Sequence, residues 1–247
     1  MPAETSSCSL PEADRPAHFR VLLFGDSNIW GYDPQSGLQQ PDRASVRLGQ
    51  MHPDWELTVS GQNGRSFSSR DPLSAEDGSR QIGPLLRRLQ SLDAVIIALG
   101  ANDARRMNCQ SAQAWQASME LFLHALQDAL YGLQERDGKV PPVLLVSPPL
   151  IPDCALSAMD CRIFYGESGQ SILKAAQSIT EKMARRYGMQ VLRADAIGLY
   201  GGCTDGIHLD ADGHRILAEG ISAAVEQMIK QTAVPESLPH GRKEGYL

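Results

Sequence analysis

Five short apolar runs, separated by longer stretches of helical periodicity, constrain this 247-residue chain more than any other feature. They are Arg20–Phe24, Trp55–Val59, Ala94–Leu99, Val143–Ser147 and Gln190–Ala194. Three of them are nearly continuous in Val, Leu and Ile, as strands buried on both faces of a parallel sheet require. Amphipathic stretches lie near 81–91, 111–135, 168–187 and 211–231. Strand–helix alternation implies right-handed crossovers. The expected class is α/β, a three-layer αβα sandwich around a parallel sheet of about five strands.

The ends differ from this pattern. Residues 1–17 are rich in Ser, Pro, Ala and Glu and read as a disordered N-terminal tail. Residues 233–247 read as a flexible C-terminal tail. A single domain is expected over 18–232. Apolar residues make up 42% of the chain, enough for a substantial core. The net charge of −6 offers no electrostatic attraction to nucleic acid or an anionic membrane. No run approaches the ~20 apolar residues of a membrane span, and Met1–Ala17 lacks a signal-peptide pattern. A cytoplasmic location is expected. Cysteines stand at 8, 109, 154, 161 and 203, an odd number with no C-x-x-C pair. Reduced thiols are therefore expected, without structural zinc or a disulfide framework. Cys203 is expected to pack rather than react.

Ligands of parallel sheets bind beyond the carboxyl ends of the strands, so the loops there hold the candidate chemistry. The first run leads into Gly25-Asp26-Ser27-Asn28, which places Ser27 at the start of a helix. Such a serine either caps the helix or reacts, with its backbone N–H available to an oxyanion. Gly61-Gln62-Asn63-Gly64-Arg65-Ser66 follows the second run. Gly100-Ala101-Asn102-Asp103 follows the third, and an Asn amide can donate to developing negative charge. Asp205-Gly206-Ile207-His208-Leu209-Asp210 lies past the last run. A serine hydroxyl needs an imidazole to take its proton and a carboxylate to hold that imidazole. Asp205 and His208, three residues apart, can meet across one turn. Each motif alone is an ordinary turn. Four of them in this order, each after its strand, favour a catalytic group.

These residues resemble the SGNH hydrolases, or GDSL-type esterases. The four name-giving residues match Ser27 in GDSN, Gly64 in GQNGRS, Asn102 in GAND and His208 in DGIH. FGDSNIWGYDP, VIIALGAND, LLVSPPL and DGIHLD are further similar to the bacterial arylesterase and acyltransferase branch. The similarity covers roughly residues 20–230. The resemblance implies a flavodoxin-like fold and no cofactor or metal. It assigns Ser27 as nucleophile, His208 as general base and Asp205 as the residue orienting it. The oxyanion hole then combines the N–H groups of Ser27 and Gly64 with the Asn102 amide. Two departures stand out. Asn28 replaces the eponymous Leu, at a position not expected to touch the chemistry. Asp42-Arg43-Ala44-Ser45-Val46 stands where that branch commonly carries Arg-Trp.

Asp26, Trp30, Arg65 and Phe164 are the candidate substrate-binding residues. Arg65 either shapes the site or forms a surface ion pair. Trp30, Tyr32, Phe164 and Tyr165 either line a pocket or pack in the core. Asp103 is expected to support the Asn102 turn. His214 is a rival base inside the last amphipathic stretch, where a structural role is expected. Asp205, His208, Asp210 and Asp212 resemble a metal cluster only loosely. The expected function is hydrolysis, or acyl transfer, of short-chain carboxylic esters. Carbohydrate O-acetyl esterase and acyl-thioesterase activities use the same residues. Metal-dependent phosphoesterase and non-catalytic binding module are the alternatives of different class. The expected partner is a small-molecule ester, with homo-oligomerisation open. The stretch 151–166 is the expected specificity element.

Overall fold

The three central runs become strands whose side chains meet helices on both sides, and the two edge runs are only partly buried. The computed structural model describes residues 18–71 and 73–233. The strands are β1 (Phe19–Gly25), β2 (Trp55–Gly61), β3 (Ala94–Ala98), β4 (Val143–Val146) and β5 (Gln190–Leu192). They form one sheet of order β2-β1-β3-β4-β5, and every pairing is parallel. This is the flavodoxin-like order of the expected three-layer fold.

Alternation along the strands sorts the core into two halves. Leu22, Phe24, Val95, Ile97, Val143 and Leu145 face one side, and Val21, Leu23, Ala94, Ile96, Leu144 and Val146 the other. Helices α3 (Gly78–Arg88), α4 (Ala112–Asp137) and α6 (Gly166–Arg186) cover the first face. Trp115, Met119, Phe122 and Leu126 fill that layer from α4 at helical spacing. Helices α2 (Ala44–Met51) and α7 (Ala211–Ala233) cover the second, through Leu48, Leu217, Ile221 and Val225. Side chains cap these helices where the sequence offers a carboxylate or hydroxyl. Asp77 accepts from Ser79 and Arg80 N–H at α3, and Ser111 from Ala114 N–H at α4.

Several boundaries move. α3 starts three residues before the expected amphipathic stretch, because Asp77 caps it there. β5 is only three residues long, since the chain turns at Asp195–Ile197. α7 runs through Ala233, one residue beyond the expected domain end. The expected tails, 1–17 and the remainder of 233–247, lie outside the described residues. Three short helices were not expected: α1 (Ser27–Trp30), α2 and α5 (Met159–Phe164). α2 includes most of the stretch that departs from the arylesterase pattern. Its small buried Ala44 and Ser45 pack where a large aromatic would not fit unchanged.

Candidate active site

Ser27 opens a helix of one turn, α1, placed directly on the sheet end. Asp26 caps α1, its Oδ1 accepting from Asn28 N–H at 2.9 Å. The turn can rest on β2 because that strand ends in Gly61, where any Cβ would collide with the backbone of Trp30. Asp26 is buried beneath the turn, and burial pushes its carboxyl up to about 6. It is a cap and does not line the cavity shared by Ser27 and His208.

His208 Nε2 lies 2.9 Å from Ser27 Oγ, and His208 Nδ1 lies 2.5 Å from Asp205 Oδ2. The other carboxylate oxygen, Asp205 Oδ1, accepts from the N–H groups of Ile207 and His208, each at 3.0 Å. Burial alone would raise the Asp205 carboxyl. Its hydrogen bond to His208, the attraction of that ring and the two N–H groups hold it below the ordinary value. Tyr32 packs on the imidazole, with ring centroids 4.6 Å apart.

Gly64 and Asn102 converge on the same place. Gly64 has φ +82°, a backbone conformation that other residues rarely adopt, which favours glycine here. Asn102 is buried, and its Nδ2 donates to Arg65 O at 3.0 Å. Nδ2 carries a second hydrogen for a ligand. Asp103 supports this arrangement as expected. Its carboxylate accepts from Phe67 N–H at 2.9 Å and from Ser118 Oγ at 2.6 Å, tying the loop after β3 to the loop after β2. Burial pushes Asp103 up to about 7.

A cavity of about 350 Å³ joins Ser27, Gly64, Asn102, Asp205 and His208. Tyr32, Phe164 and Tyr165 also line it, as do Asn63, Arg105 and Asp160. Phe164 thus reaches the site, with the Arg105 guanidinium 4.6 Å from its ring centroid. Asp160, Phe164 and Tyr165 all come from 151–166, which places that stretch against Ser27 and His208. Arg105 and Asp160 were missed because their motifs carry no spacing signal.

Trp30 and Arg65 are not part of this lining. Trp30 turns aside toward Tyr32, with centroids 6.3 Å apart. Arg65 is neither a substrate residue nor a surface ion pair. It is buried over the Phe24 ring and donates to Gly25 O at 2.7 Å, Gln81 Oε1 at 2.8 Å and Ser60 O. Carbonyls where strands end need donors from outside the ladder, and Arg65 supplies them.

His214 is fully buried, and burial pushes it down to about 4. Its Nδ1 accepts from Ala44 N–H at 3.3 Å, so it joins α7 to α2. Asp210 caps α7 by accepting from Gly213 N–H, and Asp212 pairs with Arg215. Among the described residues, no three His, Cys, Asp or Glu side chains gather as a metal site.

The thiols depart from expectation. Cys154 and Cys203 form a disulfide across 49 residues of sequence. Cys109 and Cys161 are free and buried, and Cys8 lies outside the described residues. The loops after β4 and β5 already run side by side, with Leu150 and Tyr200 bridged, and this brings the two sulfurs together. Cys203 therefore neither packs as a thiol nor remains reduced. The expected cytoplasmic location loses the support of reduced thiols at these positions. The bond fastens the 151–166 stretch to the loop carrying Asp205. Closing such a loop stabilises a fold by about 2–4 kcal/mol. A Cys154→Ser/Cys203→Ser variant should melt several degrees lower by calorimetry, as should the reduced wild type. An unchanged Tm in both would remove the bond's structural role.

The chain is similar to several known proteins. The family described as GDSL-like Lipase/Acylhydrolase matches residues 21–221. An acetylxylan esterase of Xylanibacter ruminicola is 27% identical over 146 residues, covering 54% of this chain and 28% of that protein. The match thus spans under a third of that relative's length. A carbohydrate acetylesterase family member from Sinorhizobium meliloti superposes with TM-score 0.71 at 24% identity, covering 85% of this chain and 99% of that one. The M. smegmatis aryl esterase gives TM-score 0.71 at 24% identity, covering 84% and 98%. At that identity the two structures establish the shared fold.

Proposed function

This chain belongs to the GDSL-like lipase/acylhydrolase family, and on that premise we propose a serine carboxylic ester hydrolase acting through an acyl-enzyme at Ser27. The observation that carries this reading is the relay from Ser27 Oγ to His208 Nε2 and from His208 Nδ1 to Asp205, at 2.9 and 2.5 Å. His208 takes the hydroxyl proton as Ser27 Oγ bonds to the ester carbonyl carbon. The carbonyl oxygen becomes an oxyanion, received by the N–H groups of Ser27 and Gly64 and by Asn102 Nδ2. The tetrahedral species collapses, the ester C–O bond breaks, and His208 returns the proton to the departing alcohol. Water then attacks the acyl carbon while His208 takes its proton, the bond from that carbon to Ser27 Oγ breaks, His208 returns the proton to Oγ, and the carboxylic acid leaves. A second alcohol in place of water gives acyl transfer.

The substrate reading is a short acyl group, acetyl first, on a polyhydroxylated alcohol. The cavity is small and mixes aromatic faces, Tyr32 and Phe164, with the polar Asn63, Arg105 and Asp160. Such a lining suits a ligand with hydroxyls and apolar ring faces. The relative named acetylxylan esterase supports the same choice. Aryl esters and acyl-thioesters are the competing substrates for the same residues.

The test uses p-nitrophenyl acetate, butyrate and octanoate, acetylated xylo-oligosaccharides and acetyl-thioesters, together with a fluorophosphonate label. Acetyl esters should turn over faster than octanoyl esters, the acetylated sugar should release acetate, and Ser27 alone should be labelled. Labelling at another residue, or activity lost to a chelator, would refute the serine mechanism. Preference for octanoate would refute the short acyl group.

A further inference from the structure

We propose that Asn28 is the positioning residue that sets where His208 presents its imidazole to Ser27. The proposal rests on Ser27 and His208 acting as nucleophile and base. Asn28 follows the nucleophile directly and is 6% exposed. Its side-chain amide reaches across 179 and 181 residues of sequence to the two peptide groups that flank His208. Nδ2 donates to Ile207 O at 3.3 Å, and Oδ1 accepts from Leu209 N–H at 3.0 Å. One planar amide therefore mimics a neighbouring strand, pairing with the residue before the base and the residue after it. Its orientation is itself fixed, since Asn28 N–H is held by the Asp26 cap at 2.9 Å.

Other groups hold the same segment, but from elsewhere. Gly202 N–H donates to His208 O at 2.7 Å, and Gln40 Nε2 donates to Leu209 O at 2.7 Å. Asp205 Oδ1 takes the N–H groups of Ile207 and His208. Those bonds shape the loop, and the Asp205–Nδ1 bond fixes the rotation of the ring. Neither ties the base to the helix that carries the nucleophile. Asn28 does, through a side-chain amide one residue from Ser27 that bonds main-chain groups of the residues on either side of His208. A leucine here would fill similar volume and make neither bond. It would also leave Ile207 O and Leu209 N–H without these partners in a buried place. The replacement of Leu by Asn at this position is therefore part of how this site is assembled.

The division of labour is distinct. Asp205 governs which nitrogen of His208 carries the proton, and Asn28 governs where the ring stands. A displacement of about 1 Å in a reacting group can cost about 100-fold in rate. Loss of Asn28 should thus appear in kcat rather than in KM, because Asn28 itself is not among the residues lining the cavity.

The experiment compares Asn28→Leu, Asn28→Ala and Asn28→Asp by steady-state kinetics, fluorophosphonate labelling of Ser27 and near-UV circular dichroism. It adds Asn28→Ala in a His208→Ala background. Asn28→Leu and Asn28→Ala should lower kcat by about 10- to 100-fold, with KM within threefold and labelling slowed equally. Asn28→Asp keeps the acceptor toward Leu209 N–H and loses the donor toward Ile207 O, so its kcat should fall between wild type and Asn28→Ala. In the His208→Ala background, Asn28→Ala should lower the residual rate by less than threefold, since no base remains to be placed. A wild-type kcat in Asn28→Leu, or an undiminished loss in the His208→Ala background, would overturn the proposal. Should Leu and Ala disturb the near-UV spectrum, the nearly isosteric Asp variant decides, and wild-type kcat there overturns it. Failure of the wild type to label at Ser27 would bring down the underlying serine reading as well. Labelled Ser27 with unaltered Asn28 variants would bring down this inference alone.

Discussion

Ser27→Ala should lower kcat for p-nitrophenyl acetate on the order of 10⁶-fold, with the folded structure intact. The size follows from what Oγ does. In the proposed mechanism it bonds to the acyl carbon, and it is the partner of His208 Nε2 at 2.9 Å. With no oxygen at that place there is no acyl-enzyme, and the donors of Gly64 and Asn102 act on a carbonyl that nothing attacks. Stability should scarcely change, because the helix cap at this turn belongs to Asp26 and not to Ser27. The Tm should stay within about 1–2 °C of wild type, in line with a substitution that opens little space and orphans no backbone group. Kinetics and calorimetry on one preparation check both halves. A variant that keeps even a tenth of the wild-type rate would mean another residue carries the acyl group.

Asp205→Asn should cost about 10⁴-fold in kcat. The carboxylate has two tasks, one for each oxygen. Oδ1 receives the N–H groups of Ile207 and His208, and Oδ2 faces His208 Nδ1 at 2.5 Å. An amide keeps its oxygen on the two backbone donors, which leaves its NH₂ toward Nδ1. That nitrogen must then accept, the proton moves to Nε2, and the ring points a hydrogen at Ser27 where it needs a lone pair. The loop survives and the tautomer is wrong. A pH consequence accompanies this. The Asp205 carboxyl sits below its ordinary value in the folded protein. Its stabilising contribution is therefore complete above the ordinary carboxylate value and fades as pH falls through the depressed one. Asp205→Asn should lack that acid-side loss in a melting series against pH. Rates within tenfold of wild type would show that the carboxylate does not set the tautomer.

What could be read from the chain alone was whatever is local. Val21–Phe24 and Ala94–Ile97 announce buried strands through composition, and the loops after them announce chemistry through position. Ser27, Gly64, Asn102, Asp205 and His208 were legible because each lies just past a strand or within a single turn. Asn28 was discounted because its partners are Ile207 and Leu209, and no local pattern marks a bond across 179 or 181 residues. Cys154 and Cys203 escaped for the same reason, since an odd count without C-x-x-C spacing conceals a pair made by two adjacent loops. Arg65 was misread by its type. A guanidinium after a glycine turn suggests surface or substrate, yet the carbonyls of Gly25 and Ser60 draw it inward. α2 is eight residues long, too short for periodicity to declare it.

The order of the elements also dates the chemistry. β1 lies between β2 and β3 in the sheet, and the proposed nucleophile follows it at position 27. The last strand ends at Leu192, and the proposed base follows sixteen residues later at His208. Since a chain is made from its N-terminus, a ribosome that has just added residue 200 has delivered every strand, the serine and two oxyanion donors, and no imidazole for them. On the proposed mechanism, ester cleavage is among the last abilities the growing chain acquires, and Asn28 waits through most of synthesis for the two peptide groups it clasps.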